Sequence, residues 1–411
     1  MNVVKEILRA NAGRDPQRLA LKLRRMRGDT FVFLRGSCHL FHARLPLESV
    51  LRKAPAAWAC GDLHLENFGS YKGDNRQVYF DINDFDEAGL APATWDLLRL
   101  LASVLVGRRS LALARPREAE ALRLCGVAIA AYAQALADGK ARWVERETAA
   151  TPVRELLQSV RNRERAQFLD GRTERRGGRR RLQVDDQRAS AATPAERARV
   201  EAFFAAFAAT QPDPRFYEIV DVARRIAGNG SLGLPRFVVL VRGKGAPDGH
   251  YLLDLKAAPP SSLVRRSPLP QPAWADEAAR IVGLQRRLQA VSMAFLHPVV
   301  FDGAPFVLRA LQPSEDRVVL GSVRSEDARE NLVGVMGQCL AWAQLRAGGR
   351  EGAADADALV AFGRDPKWPP RLLAFARDAA RQVEADWAVY ARAYDDGAFA
   401  DAAGAPEPAT A

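Results

Sequence analysis

Apolar residues recur at helical spacing at the start of the chain, Val4, Ile7 and Leu8 and then Leu19, Leu23 and Met26, which predicts helix over residues 1–27. Phe31 to Phe33 reads as a short β-like run ending at Arg35-Gly36, followed by a second helix through Leu40 and Phe41. Ala56 to Ala59 leads into a polar loop, Gly61 to Gly69. In Gln77 to Ile82, Val78, Phe80 and Ile82 alternate with Tyr79 and Asp81, the period of a strand. From Thr94 to about Ala150 the spacing is helical again, with Leu97, Leu98, Leu101 and Leu105 on one face, and residues 195–209 predict a further helix.

The character changes near residue 215. Tyr217 to Ile226, Phe237 to Val241 and Tyr251 to Lys256 carry the β-branched and aromatic residues of strands, and Gly243 to Gly249 has the Gly, Pro and Asp of a hairpin link. Asp276 to Phe295 predicts an amphipathic helix, Pro305 to Leu311 a strand, and helices resume over Ser325 to Leu345 and Pro370 to Tyr394. The end of the chain is small, acidic and Pro-containing, the composition of a disordered tail. The pattern therefore predicts an α+β fold with a small antiparallel β lobe and a large helical lobe. Its expected divisions are 1–210, 211–320, 321–395 and a tail over 396–411.

Composition narrows the class. A chain of 411 residues with 27% charged residues can bury a sizeable core, so wholesale disorder is excluded. None of the four cysteines sits in a CxxC pair, so neither a disulfide framework nor a zinc knuckle is indicated. Lys5, Arg9, Arg14 and Arg18 break up the first apolar stretch, which argues against a signal peptide. The runs Leu97 to Gly107 and Val127 to Ala137 are too short or too Ala-rich to span a bilayer, so the expected compartment is the cytoplasm, with no membrane partner. The net charge of +11 draws on six arginines between Arg172 and Arg181, set among glycines without aromatic neighbours. That pattern reads as a solvated, mobile loop, and nucleic acid is not the expected partner.

Two constellations carry chemistry. The first is Gly61-Asp62-Leu63-His64-Leu65-Glu66-Asn67, followed by Asp81-Ile82-Asn83-Asp84-Phe85-Asp86-Glu87. A carboxylate at Asp62 can accept a proton from an attacking hydroxyl, while a carboxamide oxygen at Asn67 and a carboxylate at Asp84 can hold a hard cation such as Mg²⁺. Four acids within seven residues after an apolar strand call for a cation to offset their repulsion. The second constellation is Gly228-Asn229-Gly230-Ser231-Leu232-Gly233, which runs into a strand instead of a helix. That context fits a β-hairpin lid whose backbone N–H groups approach phosphates, with Gly228, Gly230, Ser231 and Gly233 as its contacts. One hairpin later, strand alternation puts Lys256 on the same face as Asp254, where it can hold a phosphate. Glu277, on the following helix, is the acid expected to pair with it, with Asp276 as its competitor.

The first constellation resembles the catalytic and metal segments of aminoglycoside phosphotransferases and related protein-kinase-like enzymes. The resemblance implies Asp62 as catalytic base, Asn67 and Asp84 as metal ligands joined by Asp86, and Asp96 of Trp95-Asp96-Leu97 as a buttress of the catalytic loop. Cys60 stands where that family usually has His. The glycine loop follows the catalytic Asp instead of preceding it, so the kinase-like order is permuted. Together with Phe33-Leu34-Arg35-Gly36, these motifs make the chain similar, over about residues 15–395, to the bacterial family catalogued as domain of unknown function 2252. The function implied is an ATP- and Mg²⁺-dependent phosphotransferase acting on a small hydroxyl-bearing acceptor. The alternatives are an adenylate transferase, or a non-catalytic nucleotide-binding regulatory module, on the same fold.

Overall fold

The computed structural model describes residues 1–45, 50–109, 111, 117–177 and 179–403. The helix expected over 1–27 is two, Val3–Ala10 and Pro16–Gly28. Asn11 caps the end of the first, its N–H meeting the Leu8 and Arg9 carbonyls, and Asp15 caps the second by accepting the Arg18 N–H at 3.0 Å, with Pro16 at the first helical position. Phe31 to Phe33 is helical, not extended. Asp29 accepts the Val32 N–H at 2.8 Å and starts the helix Thr30–Gly36, and this cap together with burial of Phe31, Phe33 and Leu34 overrides their β propensity. The next helix, Cys38–Arg44, lies where the pattern put it.

Strands β1 (Ala56–Ala59) and β4 (Gly89–Pro92) pair antiparallel, and between them β2 (Phe68–Lys72) pairs with β3 (Val78–Ile82). The loops of this double hairpin carry Asp62 and Asp84. The helix from Thr94 stops at Val106, and the next spans Arg117–Ala137. By length and composition that second helix could cross a membrane, but here it packs against the helices Glu326–Ala347 and Ala356–Arg364. The approach is closest at Gly337, where a Cβ would lie 2.4 Å from the Ala128 carbonyl oxygen. The Arg-rich segment is a hairpin, β5 (Thr173–Arg176) with β6 (Arg179–Leu182), and not a loop, although Arg172, Arg175, Arg176, Arg179 and Arg181 are exposed as expected. Arg180 is buried there and held by Asp170 at 2.7 Å and Asp248 at 2.5 Å.

The β-rich block closes into one antiparallel sheet of β7 (Ala189–Ala191), β8 (Ile219–Arg225), β9 (Arg236–Val241), β10 (Tyr251–Ala257), β11 (His297–Phe301) and β12 (Ala304–Leu311). Its order is β11-β12-β10-β9-β8-β7. Edge strand β11 escaped the sequence pattern because Pro298 sits inside it, which only an edge tolerates. Phe237, Val239, Leu253, Leu255 and Leu308 pack on one face against Val200 and Phe204 of the helix Pro194–Ala209. The period of two sends Asp254 and Lys256 to the other face, toward the helical part. After β10 come a short helix, Ser262–Arg266, and then Glu277–Leu288, which is shorter than the expected 276–295. The long helix Trp368–Asp395 runs close to the expected one. The tail expected from 396 is ordered at its start: Phe399 is buried against Tyr390 at 5.1 Å, and a short helix, Ala400–Ala403, sits beside Pro16–Gly28. The rest of that tail, 404–411, lies outside the described residues.

The architecture is thus α+β, about half helix with small antiparallel sheets. Gly337→Val should force the two long helices apart and lower stability by about 1–3 kcal/mol, the usual cost of overpacking. Thermal unfolding checks this, and an unchanged midpoint would show that the crossing has slack.

Candidate functional site

A cleft of about 540 Å³ separates the inner face of the six-stranded sheet from the loops after β1 and β3. The first of these loops is fixed from below. The Asp96 carboxylate accepts the backbone N–H groups of Cys60 at 2.7 Å and Gly61 at 3.0 Å. Burial pushes the Asp96 carboxyl up to about 6 against those two donors and Arg99. Gly61 sits at φ +84°, and any Cβ there would meet the Glu87 carbonyl at 2.1 Å, so only glycine brings the two loops this close.

Asn67 joins the two loops. Its side-chain oxygen accepts the Asp84 N–H at 2.7 Å, and its amide donates to the carbonyls of Asp62 at 3.0 Å and Asp84 at 3.2 Å. The oxygen expected to ligate a metal is therefore already engaged. Beside it, Asn83 Oδ1 lines the cleft, buried and without a hydrogen bond. His64 braces the same loop, accepting the Glu66 N–H at 3.1 Å.

Of the four acids in the second segment, only Asp84 and Asp86 reach the cleft. Asp81 turns back to Arg346 at 3.2 Å and the Ala290 N–H at 3.0 Å, and Glu87 accepts from the Ser262 N–H at 2.5 Å and hydroxyl at 2.9 Å. Protein partners alone thus answer much of the repulsion that the sequence assigned to a cation. Lys256 supplies the remainder: its ammonium pairs with Asp86 and stands 4.0 Å from Asp84. Enclosure raises Asp84, but Lys256, the Asp86 N–H and Arg309 outweigh it and hold that carboxyl below its usual range. Enclosure and the neighbouring Asp84 push Asp86 up, in spite of Lys256. Two unequal carboxylates on one ammonium, open to a cleft, are a donor set that fits a hard divalent ion.

Asp62 lies beside this group but is not among the residues lining the cleft. Its Oδ1 accepts the Arg99 Nε–H at 2.7 Å and a second Arg99 N–H. Arg99 is fully buried, stacked 4.8 Å from the Phe41 ring centroid and donating to the Leu34 carbonyl at 3.0 Å. Sequence reasoning missed it, although an arginine inside the apolar run Leu97 to Val106 is itself a sign of a buried partner.

The glycine segment links β8 to β9, as a hairpin loop should. It is docked and not free. Arg14 donates to the carbonyls of Gly230 at 2.8 Å and Leu232 at 2.6 Å, the buried Lys22 donates to Gly230 at 3.2 Å, and the Asp15 N–H meets the Gly233 carbonyl at 2.9 Å. Gly228 and Ser231 line the cleft, whereas Gly230 and Gly233 are not among its lining residues. Glu277 does not pair with Lys256 and does not line the cleft. It holds Arg280 at 2.6 Å, which in turn donates to the Asp86 carbonyl at 2.8 Å and the Ala88 carbonyl at 2.5 Å. An arginine on that helix thus grips the acid loop where a Glu–Lys pair was expected. Arg35, at the cleft edge, pairs with Glu66 at 2.5 Å.

Sequence reasoning also passed over the inward positions of the sheet. Asp254, fully buried, is shared by Arg236 (2.8 and 2.6 Å), Arg225 (2.5 Å) and Arg309 (3.4 Å). Burial opposes ionisation of Asp254, but the three guanidiniums keep its carboxyl well below the ordinary range. Alternation placed Asp254 on the face of Lys256. Its arginine partners come from three separate strands, so no local spacing revealed them.

Around the loop after β1 three histidines are held neutral, His42 and His64 buried and His39 half-buried. Burial, with Lys22 and Arg14 adding to it, depresses His39 to about 3; burial with Arg99 depresses His42, and burial with Arg35 depresses His64. Their folded values lie below the unfolded value of about 6.5, so the unfolded chain takes up protons that the native state does not. The stability they contribute is complete above about pH 6.5 and is lost as pH falls toward the folded values. The unfolding midpoint should therefore drop between pH 7 and pH 5, and His39→Leu should make the drop shallower. An equal slope in the variant would show that His39 does not contribute.

The profile of a bacterial family described as an uncharacterized protein conserved in bacteria, DUF2252, matches residues 14–393. No curated protein and no solved structure matches the chain.

Proposed function

The chain belongs to this DUF2252 family, and from that premise and the site we propose an ATP- and Mg²⁺-dependent phosphotransferase of kinase-like, permuted architecture, acting on a small hydroxyl-bearing acceptor. One observation carries the reading. Lys256 of the sheet meets Asp84 and Asp86 of the helical part across an open cleft, although 170 residues separate Lys256 from Asp86 along the chain. The connection order supports it: a glycine-bearing hairpin, β8 to β9, precedes the lysine strand β10, then come the helices Ser262–Arg266 and Glu277–Leu288, then β11, β12 and the connector. That is the order of a kinase's nucleotide-binding half, and it follows the catalytic segment here instead of preceding it.

In this reading the chain's residues divide the work. Arg99 occupies one oxygen of Asp62 and fixes its orientation, which leaves Oδ2 to accept the proton of the acceptor hydroxyl. Asn67 sets the spacing between that base and Asp84 through hydrogen bonds to both segments. Lys256 gives its charge to a phosphate oxygen, and Gly228 and Ser231 offer backbone and hydroxyl contacts at the cleft roof. Asp84 and Asp86, with the unpaired Asn83 oxygen beside them, would hold a Mg²⁺ ion, whose chemistry there is neutralisation of phosphate charge. The rate then comes from positioning and electrostatic stabilisation.

Thermal unfolding with ATP or GTP, each with and without Mg²⁺, tests the reading. A nucleotide at 100 times its Kd adds about 2.7 kcal/mol to the folded state, a clear rise in midpoint. The rise should need Mg²⁺ and should vanish in Asp84→Ala and in Lys256→Met. No rise under any condition in the wild type would sink the proposal.

A further inference from the structure

The sheet wall of the cleft changes character one step in from Lys256. Asp254 lies two residues before it on the same face of β10, about 7 Å along the strand. In the pairing of β10 with β12, Lys256 stands opposite Val307, Asp254 opposite Arg309 and Leu252 opposite Leu311, so this direction leads toward the connector after β12. There Arg225, Arg236 and Arg309 line the cleft around the buried Asp254 carboxylate.

Resting on the nucleotide reading above, we propose that this end of the cleft is a phosphate subsite, so that the phosphates of a polyphosphate ligand run along β10 from Lys256 to the three arginines and its base lies elsewhere in the cleft. A base needs a flat apolar slot with a few in-plane partners; this wall is made of guanidiniums. Three of them share Asp254, and among the described residues Glu315, 3.1 Å from Arg309, is the second carboxylate in ion-pair contact with them, which leaves positive charge in excess. Arg225 shows that excess most plainly. Its Nη1 is paired with Asp254 Oδ2 at 2.5 Å, and burial and the neighbouring Arg236 depress its guanidinium to about 10. A planar fork held on one side by a buried carboxylate keeps its other side for a phosphate oxygen. The distance from Asp254 to Lys256 lets one run of linked phosphates touch both the arginines and the acid pair.

Competition calorimetry with Mg-ATP, inorganic tripolyphosphate and adenosine decides the matter. Tripolyphosphate should displace ATP with an affinity within about tenfold of ATP's own, and adenosine should not. Arg225→Gln, which leaves the Arg236 and Arg309 contacts to Asp254 in place, should weaken ATP and tripolyphosphate alike by about tenfold, one charge-assisted hydrogen bond. If ATP binds but tripolyphosphate does not, or if adenosine competes in its place, the subsite is overturned and the nucleotide site stands. Tripolyphosphate binding without ATP binding would uphold the subsite and sink the nucleotide reading. Binding of none of the three would remove both. The wild-type comparison alone separates these results, whatever the stability of the variant.

Discussion

The contact on which the arrangement depends is the one Lys256 makes with Asp86 and Asp84. A mostly buried ammonium must be paired, and a loop with two carboxylates that close together must be neutralised, so each side supplies what the other lacks. The pairing fixes where the sheet stands over the acid loop. Arg280 repeats the link through backbone carbonyls of Asp86 and Ala88, and Ser262 repeats it through Glu87. The two halves are joined at the acid loop by polar contacts, while the apolar faces of the sheet are spent largely on its own covering elements.

Below that contact the loops are set by hydrogen bonds to backbone groups. Asp96 holds two N–H groups of the Cys60–Gly61 turn, and Asn67 holds groups of Asp62 and Asp84. The two loops are thereby set from below by Asp96, outside the cleft lining, and from within it by Asn67. Arg99 extends the logic: a buried charge whose principal carboxylate partner is Asp62 leaves that side chain little freedom.

Long periodic elements were legible in the sequence: the helix over 195–209, the strands β9 and β10 and the long C-terminal helix all follow from apolar spacing. Phe31 to Phe33 was misread because three bulky apolar residues are compatible with strand or helix, and the Asp29 cap that decides between them is a single residue. The acid loops, Asn67 and Lys256 could be picked out as polar residues at turn and strand positions. Their partners could not. Glu277 looked like the natural mate of Lys256 from its place on the next helix, yet the geometry gives it to Arg280. The cluster on Asp254 draws on β8, β9, β10 and β12, and only the sheet brings those residues together.

The helix Arg117–Ala137 leans on Glu326–Ala347, and Thr94–Val106 on Trp368–Asp395. A ribosome making this chain delivers the acid loops early, the sheet later, and the helices that cover the first core last. The early segment therefore waits, with much of its apolar surface uncovered, while some two hundred residues follow it out of the tunnel. Folding of the helical half is in that sense a closing event that waits for the helices beyond the sheet, and the nascent chain has most need of chaperone protection before it.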